Sequence, residues 1–207
     1  MRIPTRQDCL ELICEYEMLE HIVAHSIQVC RVALYLVDRL SEQGINLDRT
    51  LVEAAALLHD ITKTRSFQTG EMHTETGASL LRERGFSEVG EIVRQHVKLD
   101  DYFETKIPNE TEIVNYADKR VLHDRIVPMA DRMDYILQRY GSQANYRERL
   151  RWLWKKSEEM ERRIFASLPF GPEKIGDFEP SADVDADLDE YRAVLARKSK
   201  GRKAQGP

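Results

Sequence analysis

The stretch AAALLHDITKT, residues 54–64, places a histidine and an aspartate side by side at the end of an apolar run. Five apolar residues lead into His59 and Asp60, and Lys63 follows three residues later. Burial of an ionised carboxylate is unfavourable by several kcal/mol unless a nearby charge or hydrogen bonds compensate it. The stretch therefore predicts a buried helix whose polar end needs a cationic partner.

The residue types indicate what that partner is. Neighbouring residues of a helix point about 100° apart, so His59 and Asp60 reach one point only around a sizeable charged object. A divalent metal ion is the simplest such object, and imidazole and carboxylate ligands suit iron, manganese, zinc, cobalt or nickel. The lack of well-placed thiolates argues against a structural zinc site. A lone histidine on an apolar face is more often a hydrogen-bonded core residue, so the adjacent pair carries the argument.

Helical periodicity extends from this stretch over almost the whole chain. Apolar residues recur three and four positions apart, and no segment shows sustained two-residue alternation. The pattern predicts an all-α fold of about eight or nine helices. Gly44 is predicted to end one helix and Asp48 to cap the next. Further helices are predicted at residues 74–85, 87–97 and 112–122, with a loop broken by Pro108 at residues 100–112.

The C-terminal third contains an apolar and aromatic stripe, which predicts core or a dimer face rather than a ligand site. The stripe consists of Tyr146, Leu150, Trp152, Leu153, Trp154, Met160, Ile164, Phe165 and Leu168. The chain is divided into a helical domain at residues 1–170 and a C-terminal segment at residues 171–207. That segment is predicted to hold an acidic loop, a short helix near residues 188–196 and a frayed basic tail. The sequence is compatible with both a monomer and a homodimer.

The composition is that of one medium-sized domain, with 207 residues of which 42% are hydrophobic and 32% charged. A net charge of −5 disfavours nucleic-acid binding by bulk electrostatics, although a local basic pocket remains compatible with it. Cys9, Cys14 and Cys30 show no C-x-x-C spacing, which predicts reduced thiols in a cytoplasmic protein. We expect no membrane partner, because the sequence shows neither a long apolar run nor a signal-peptide pattern.

The sequence resembles the HD-domain metal-dependent phosphohydrolases in five segments, which occur in the order of that family. The segments are HIVAHSIQVCRVA, AALLHDITK, HTETGASLL, IVRQHV and EIVNYADKRV, and they cover roughly half of the chain. The order of H, HD and D is more specific than any one segment. The resemblance implies an HD-type helical bundle, with its motif core at residues 20–125 and additional C-terminal helices. In that family the first histidine, the His-Asp pair and a distal aspartate bind one metal ion, which implies His25, His59, Asp60 and Asp118 as ligands.

Many members of the family bind a second metal ion through two further histidines, with the aspartate of the pair bridging both ions. The matching residues are His73 and His96, so the resemblance implies a dinuclear centre around Asp60. The pattern of motifs resembles the subgroup that includes the symmetrical dinucleoside tetraphosphate hydrolases. Membership of that subgroup implies a di-iron centre. It departs from the cyclic-di-GMP phosphodiesterases, because no GYP motif is present and Val97 replaces the second histidine of their HHE motif.

Other polar residues near these segments have less defined roles. Lys63 lies almost one turn past Asp60, so its ammonium could contact a phosphate at the metals, and both residues are predicted to be catalytic; a solvated lysine at a helix end is the alternative. Lys119 and Arg120 could extend a basic rim or face solvent. His21 and His123 are expected to be core or surface residues, although His21 could also act near the metal.

These features predict a phosphohydrolase that cleaves a phosphoester or phosphoanhydride with a metal-activated water. The expected substrate is a nucleotide or another small phosphorylated metabolite. The expected cofactors are two divalent metal ions, with iron first and manganese, cobalt, nickel, zinc or magnesium as alternatives. A mixed-valent di-iron oxygenase and a non-catalytic metal- or nucleotide-binding regulatory module remain open. Substrate choice is expected in the loop at residues 98–110, where Tyr102 and Phe103 could stack on a base, and in the helices after Asp124.

Overall fold

Eleven helices and one short hairpin form the part of the chain that the computed structural model describes, residues 2–103, 105–177 and 181–204. The helices are α1 (Arg6–Glu15), α2 (Glu20–Ser41), α3 (Arg49–Leu58), α4 (Lys63–Thr69), α5 (His73–Glu83), α6 (Ser87–Gln95), α7 (Glu110–Lys119), α8 (Met129–Tyr140), α9 (Ala144–Ala166), α10 (Lys174–Asp177) and α11 (Ser181–Ala204). The hairpin pairs β1 (Val121–Leu122) with β2 (Arg125–Ile126) in antiparallel register. The predicted all-α fold is confirmed.

Helix α2 lies at the centre of the core. Most of its 22 residues are buried, and α3, α7 and α11 pack against it. Such all-round burial is expected of a helix inside a core, whereas a surface helix buries a single stripe. Because α3 and α7 flank α2, polar side chains near the ends of those helices can meet His25 in the interior.

Side-chain caps fix the starts of the two helices that flank α2. Asp48 accepts hydrogen bonds from backbone N–H groups in the first turn of α3, as predicted. Asn109 and Glu112 form a capping box at the start of α7. These caps satisfy N–H groups that a helix start leaves without a partner inside the helix.

Two glycines allow α5 and α6 to pack closely. A Cβ atom at Gly90 would lie 2.9 Å from the carbonyl oxygen of Ala78, which is shorter than a normal contact. A Cβ at Gly77 would lie 3.2 Å from a methyl group of Val93. The sequence therefore permits a close approach that sets the distance between the helices carrying the second pair of predicted histidine ligands.

The C-terminal segment is more helical than predicted. Helix α11 replaces most of the acidic loop and the short helix at residues 188–196, and it continues into the predicted tail. The acidic residues fail as a loop indicator because Asp187 and Glu190 pair with Arg6 at 2.6 and 2.9 Å. Val184, Leu188, Tyr191 and Val194 are buried, so this segment belongs to the core and is not a surface excursion. Residues 178–180 and 205–207 of the predicted loop and tail lie outside the described residues.

Two other predictions need correction. Helices α4 and α10 are short and were not predicted, which raises the number above eight or nine. The helix predicted at residues 112–122 ends at Lys119, because buried Arg120 donates to the carbonyl of Val127 and draws the chain back as a hairpin.

The apolar stripe of the C-terminal third divides into two halves. The half from Leu153 onward provides buried core residues, but Tyr146 and Trp152 are exposed.

The three cysteines are buried and free. Burial raises the pKa of the Cys30 thiol to about 12, so the thiol stays protonated. None of the helices in the described ranges is both long enough and apolar enough to cross a lipid bilayer.

Candidate metal centre

The six predicted ligands come from five places in the bundle. They are His25 in α2, His59 and Asp60 directly after α3, His73 at the start of α5, His96 directly after α6, and Asp118 in α7. The structure brings all six together, although 93 positions separate the first from the last. Their side chains form two adjoining clusters that share Asp60.

The first cluster joins α2, α3 and α7. Nε2 of His25 lies 3.1 Å from Oδ1 of Asp118, and Nε2 of His59 lies 3.9 Å from the same oxygen. The other side of His59 Nε2 faces Oδ2 of Asp60 at 3.3 Å. Donor atoms of His25, His59 and Asp118 all lie within 4.8 Å of one another, which is close enough to hold one metal ion.

The second cluster lies around the other oxygen of Asp60. Oδ1 of Asp60 is 3.3 Å from Nε2 of His73 and 3.6 Å from Nε2 of His96. The two histidine nitrogens are 3.3 Å apart. The carboxylate of Asp60 therefore faces the first cluster with one oxygen and the second with the other.

Backbone carbonyls set the orientation of three of the histidine rings. Nδ1 of His25 donates to the carbonyl of His123, Nδ1 of His59 to that of Ala56, and Nδ1 of His96 to that of Val93, at 2.7 to 2.8 Å. A carbonyl oxygen only accepts, so each Nδ1 carries the proton and each Nε2 presents a lone pair to the clusters. This arrangement of imidazoles is characteristic of metal ligands.

Two buried atoms at the centre lack hydrogen-bond partners among the described residues. They are Nε2 of His59 and Oδ1 of Asp60, and both side chains are fully buried. Buried polar atoms are nearly always satisfied, because an unsatisfied one loses its hydration without replacement. A metal ion between these donors would satisfy both, so the residues present fit a bound metal.

The two carboxylates are held in the ionised form. Burial raises the pKa of Asp60, but the charges of His59 and Lys63 more than offset it and hold the pKa well below its ordinary value. Burial likewise raises the pKa of Asp118, and the hydrogen bond with His25 and the charge of Arg132 lower it far more. Both groups are therefore available as anionic ligands at neutral pH.

The histidines differ in their protonation. Burial lowers the pKa of His96 to about 3 and also lowers that of His73, so both rings are neutral at pH 7. Burial also lowers the pKa of His59, but Asp60 and Asp118 raise it above its ordinary value. A further proton on His59 would occupy its Nε2 lone pair, so protonation of this ring and metal binding would compete for the same nitrogen.

The model of the HD domain family matches residues 22–135, more than half of the chain. The chain belongs to the HD-domain family. Its matched region contains all six residues of the two clusters.

This HD-domain chain is similar to proteins that carry different names, and it spans less than half the length of the methyltransferase that it matches. It is 30% identical over 132 residues to a tRNA (cytidine(56)-2'-O)-methyltransferase of Thermoplasma volcanium, a match that covers 63% of this chain and only 37% of that protein. It is 29% identical over 135 residues to an uncharacterized protein of Methanocaldococcus jannaschii, covering 59% of this chain and 79% of that protein. The crystal structure of a predicted HD superfamily hydrolase from an uncultured Thermotogales bacterium is 23% identical and covers 80% of this chain and 94% of that one, with a TM-score of 0.43.

Two cationic side chains of the HD domain border the clusters. Nζ of Lys63 lies 2.7 Å from Oδ2 of Asp60. Nη2 of Arg132, from the first turn of α8, lies 3.8 Å from Oδ1 of Asp118, and its Nε has no hydrogen-bond partner among the described residues. The sequence does not single out Arg132, because this residue follows the last motif and no spacing distinguishes it from the other arginines of the chain.

Lys119 and Arg120 do not form a basic rim or face solvent, since both are buried. Nζ of Lys119 donates to the carbonyls of His96 and Asn115, at 3.1 and 2.9 Å. Arg120 donates to the carbonyls of Val127 and Pro172. Lys119 thus holds the turn that carries His96, and Arg120 holds the chain after α7.

The remaining candidates lie outside the clusters. His21 is exposed on α2. His123 has a left-handed backbone, with φ of 58°, and contributes only its carbonyl to the centre. Tyr102 and Phe103, expected to stack on a base, are partly buried, and their rings contact each other while Tyr102 also contacts Trp152 of α9. Local packing therefore uses a large part of both rings.

Proposed function

We propose that this chain is a metal-dependent phosphohydrolase that cleaves a phosphoester or phosphoanhydride of a nucleotide or small phosphorylated metabolite. One observation carries the proposal: histidine Nε2 atoms, oriented by hydrogen bonds at Nδ1, surround the carboxylate of Asp60, whose two oxygens face different clusters. At this point His59 Nε2 and Asp60 Oδ1 lack hydrogen-bond partners among the described residues. His25, His59, Asp60 and Asp118 would hold one ion, and Asp60, His73 and His96 a second, with iron as the first candidate. Bound metal ions would activate a water molecule and polarise a phosphoryl oxygen.

The protein's own cations support an anionic substrate. Lys63 and Arg132 approach the centre from different helices and flank Asp60 and Asp118. Once metal ions neutralise these carboxylates, the ammonium and the guanidinium lose their partners and need another anion. A phosphoryl group supplies oxygens for both, and cations placed around those oxygens stabilise the charge of the transition state.

The test combines metal analysis with a screen for hydrolysis that detects both inorganic phosphate and nucleotide products. Protein purified without added metal or chelator should contain about two metal ions per chain, and it should release phosphate or a nucleotide from some nucleotides, dinucleoside polyphosphates or phosphosugars. His73→Ala or His96→Ala should lose one ion and Asp60→Ala both. His21→Ala is the matched control for His25→Ala, because both residues lie on α2 but His21 is exposed.

Two results would contradict the proposal. Absence of hydrolysis of every substrate by metal-loaded protein would favour the regulatory module. Oxygen uptake by an iron-loaded protein without hydrolysis of any phosphate compound would favour the oxygenase. A single ion unaffected by the His73 and His96 changes would remove the dinuclear centre and leave a mononuclear one.

A further inference from the structure

The tip of the α8–α9 helical hairpin carries a basic and aromatic surface that the metal centre does not use. We call residues 138–156 the arm. Every residue from 138 to 149 except Gly141 is exposed. Core packing therefore does not explain the composition of this tip.

Positive charge is concentrated in the arm. It contains six basic residues and one acidic residue, in a chain whose net charge is −5. The remainder of the chain is consequently more acidic than the total indicates. A local excess of one sign produces a positive potential that attracts polyanions, even when the net charge of the protein is negative.

Most cations of the arm lack acidic partners, although Lys156 pairs with Glu159 at 3.2 Å. Arg149, Arg151 and Lys155 form no ion pair with any residue in the described ranges, whereas surface arginines elsewhere, such as Arg49 and Arg84, pair with carboxylates. Arg147, Arg151 and Lys155 follow one another at four-residue intervals along one side of α9. Like charges at this spacing repel each other and destabilise the helix, and a bound anion would remove that repulsion.

Aromatic rings are exposed among these cations. The exposed fractions are 56% for Tyr140, 51% for Tyr146 and 45% for Trp152. Exposed rings next to arginine and lysine provide stacking surfaces for unpaired bases, while the cations contact the phosphates.

Helix α8 connects the arm to the metal centre. Arg132 lies near Asp118, and Tyr135 and Arg139 follow it three and seven residues later on the same face of α8. Nη1 of Arg139 donates to the hydroxyl of Tyr135 at 3.0 Å. This face therefore extends the basic surface from the arm toward the centre over about 10 Å.

We propose that the arm binds single-stranded nucleic acid, with phosphates on its cations and bases on its exposed rings. A second copy of the chain fits less well, because a two-fold interface would place the same positive surface against itself. An anionic membrane also fits less well, because the apolar side chains Leu153, Met160 and Ile164 are buried in the protein and leave α9 no free apolar stripe. The proposal goes beyond the proposed function and does not depend on it.

The experiment measures binding of a fluorescein-labelled single-stranded RNA of 15 nucleotides to the full chain by anisotropy, at several salt concentrations, with a gel to check that the RNA stays intact. Wild-type protein should bind with strong salt dependence. The triple variant Arg149→Gln, Arg151→Gln and Lys155→Gln should bind at least tenfold more weakly and lower the salt slope by about 2, because each phosphate contact on a single strand contributes roughly 0.7. The charge-matched control is Arg82→Gln, Arg192→Gln and Arg197→Gln, which should bind like wild type.

A second variant tests the rings separately from the charges. Tyr146→Ala with Trp152→Ala should weaken binding about tenfold with an unchanged salt slope, because stacking releases no counterions. Circular dichroism melting should show that all variants remain folded. No binding at low salt, equal loss in the control triple, a preference for duplex RNA, or binding of anionic vesicles but not RNA would overturn the proposal.

Discussion

The ammonium nitrogen of Lys63 lies 2.7 Å from Oδ2 of Asp60, which places one of the protein's own cations against the carboxylate shared by both clusters. Burial lowers the pKa of Lys63, but Asp60 and Asp118 raise it above its ordinary value, and the group stays charged. This ammonium occupies one side of the carboxylate that a metal ion would use. Metal binding and the Lys63–Asp60 contact therefore compete.

Replacement of Lys63 by methionine is expected to preserve metal binding and to reduce turnover. The stem of the side chain remains, while the charge that would contact a phosphoryl oxygen is lost, so phosphate release should fall by about 10² to 10³. Metal content measured by plasma mass spectrometry should stay at the wild-type level. Lys174→Met, at an exposed lysine of α10, is the control. Loss of metal together with activity would assign Lys63 a structural role.

The hydrogen bond from His25 to the carbonyl of His123 predicts different metal affinities for two substitutions at position 123. The backbone there has φ of 58°, which glycine adopts freely and a β-branched residue adopts only with strain. His123→Gly should keep the metal affinity close to that of wild type, and His123→Val should weaken it and destabilise the fold by about 1–3 kcal/mol. Competition with a fluorescent chelator and urea denaturation measure the two effects. Equal metal affinity in both variants would show that this carbonyl does not orient His25.

Lys119 is expected to act on the second cluster through the carbonyl of His96. Lys119→Met should weaken the binding of one metal ion by about 10- to 100-fold, as changes to groups that orient metal ligands do. The other ion, held from α2, α3 and α7, should bind as before. Calorimetric titration of the metal-free protein separates the two events. A uniform loss of both ions would indicate general destabilisation instead.

The close packing of α5 and α6 predicts a sharp difference between two glycines. Gly90→Ala places a Cβ atom 2.9 Å from the carbonyl oxygen of Ala78 and should lower the free energy of unfolding by about 1–3 kcal/mol. Gly176→Ala meets no atom within 4 Å and should leave the stability unchanged or slightly higher. Because α5 and α6 carry His73 and His96, Gly90→Ala should also reduce metal content to one ion. Retention of both ions would show that the clusters tolerate this displacement.

The sequence predicts which six side chains lie together, and their binding of metal stays a prediction. It predicts the all-α fold but not every element around these side chains. His59 and Asp60 are conspicuous because charge adjoins an apolar run, and the order of the other motifs leads to their four partners. Arg132 has no such indicator, because its position near Asp118 depends on how α8 packs after the hairpin. The hairpin itself depends on the bonds of Arg120, which are long-range contacts that local propensity does not contain.

The acidic C-terminal segment illustrates the same limitation. A cluster of acids next to prolines favours a solvated loop, yet α11 forms because Arg6 neutralises two of its carboxylates and its apolar residues reach the core. Tertiary partners thus override the local composition. In the stripe predicted to be core or a dimer face, Leu153 and the residues after it supply the core, whereas Tyr146 and Trp152 are exposed in the single chain, so the dimer face stays a prediction.

The neutral state of His96 predicts how the stability of metal-free protein depends on pH. The pKa of its ring is about 3 in the folded chain and 6.5 when unperturbed, so the unfolded chain binds more protons between these values. The contribution of neutral His96 to the free energy of unfolding is therefore fully present above pH 6.5 and falls as the pH is lowered toward 3. The limiting slope for this one group is about 1.4 kcal/mol per pH unit. In His96→Gln this contribution is absent, so the difference in unfolding free energy between the variant and wild type should shrink steadily from pH 6.5 to 4. Urea denaturation in the presence of chelator measures it, and His21→Gln, at an exposed histidine, should follow the wild-type curve. Parallel curves for wild type and His96→Gln would mean that folding does not lower the pKa of His96. The ring would then be protonated in the folded chain at acidic pH and would have no lone pair for a metal ion there.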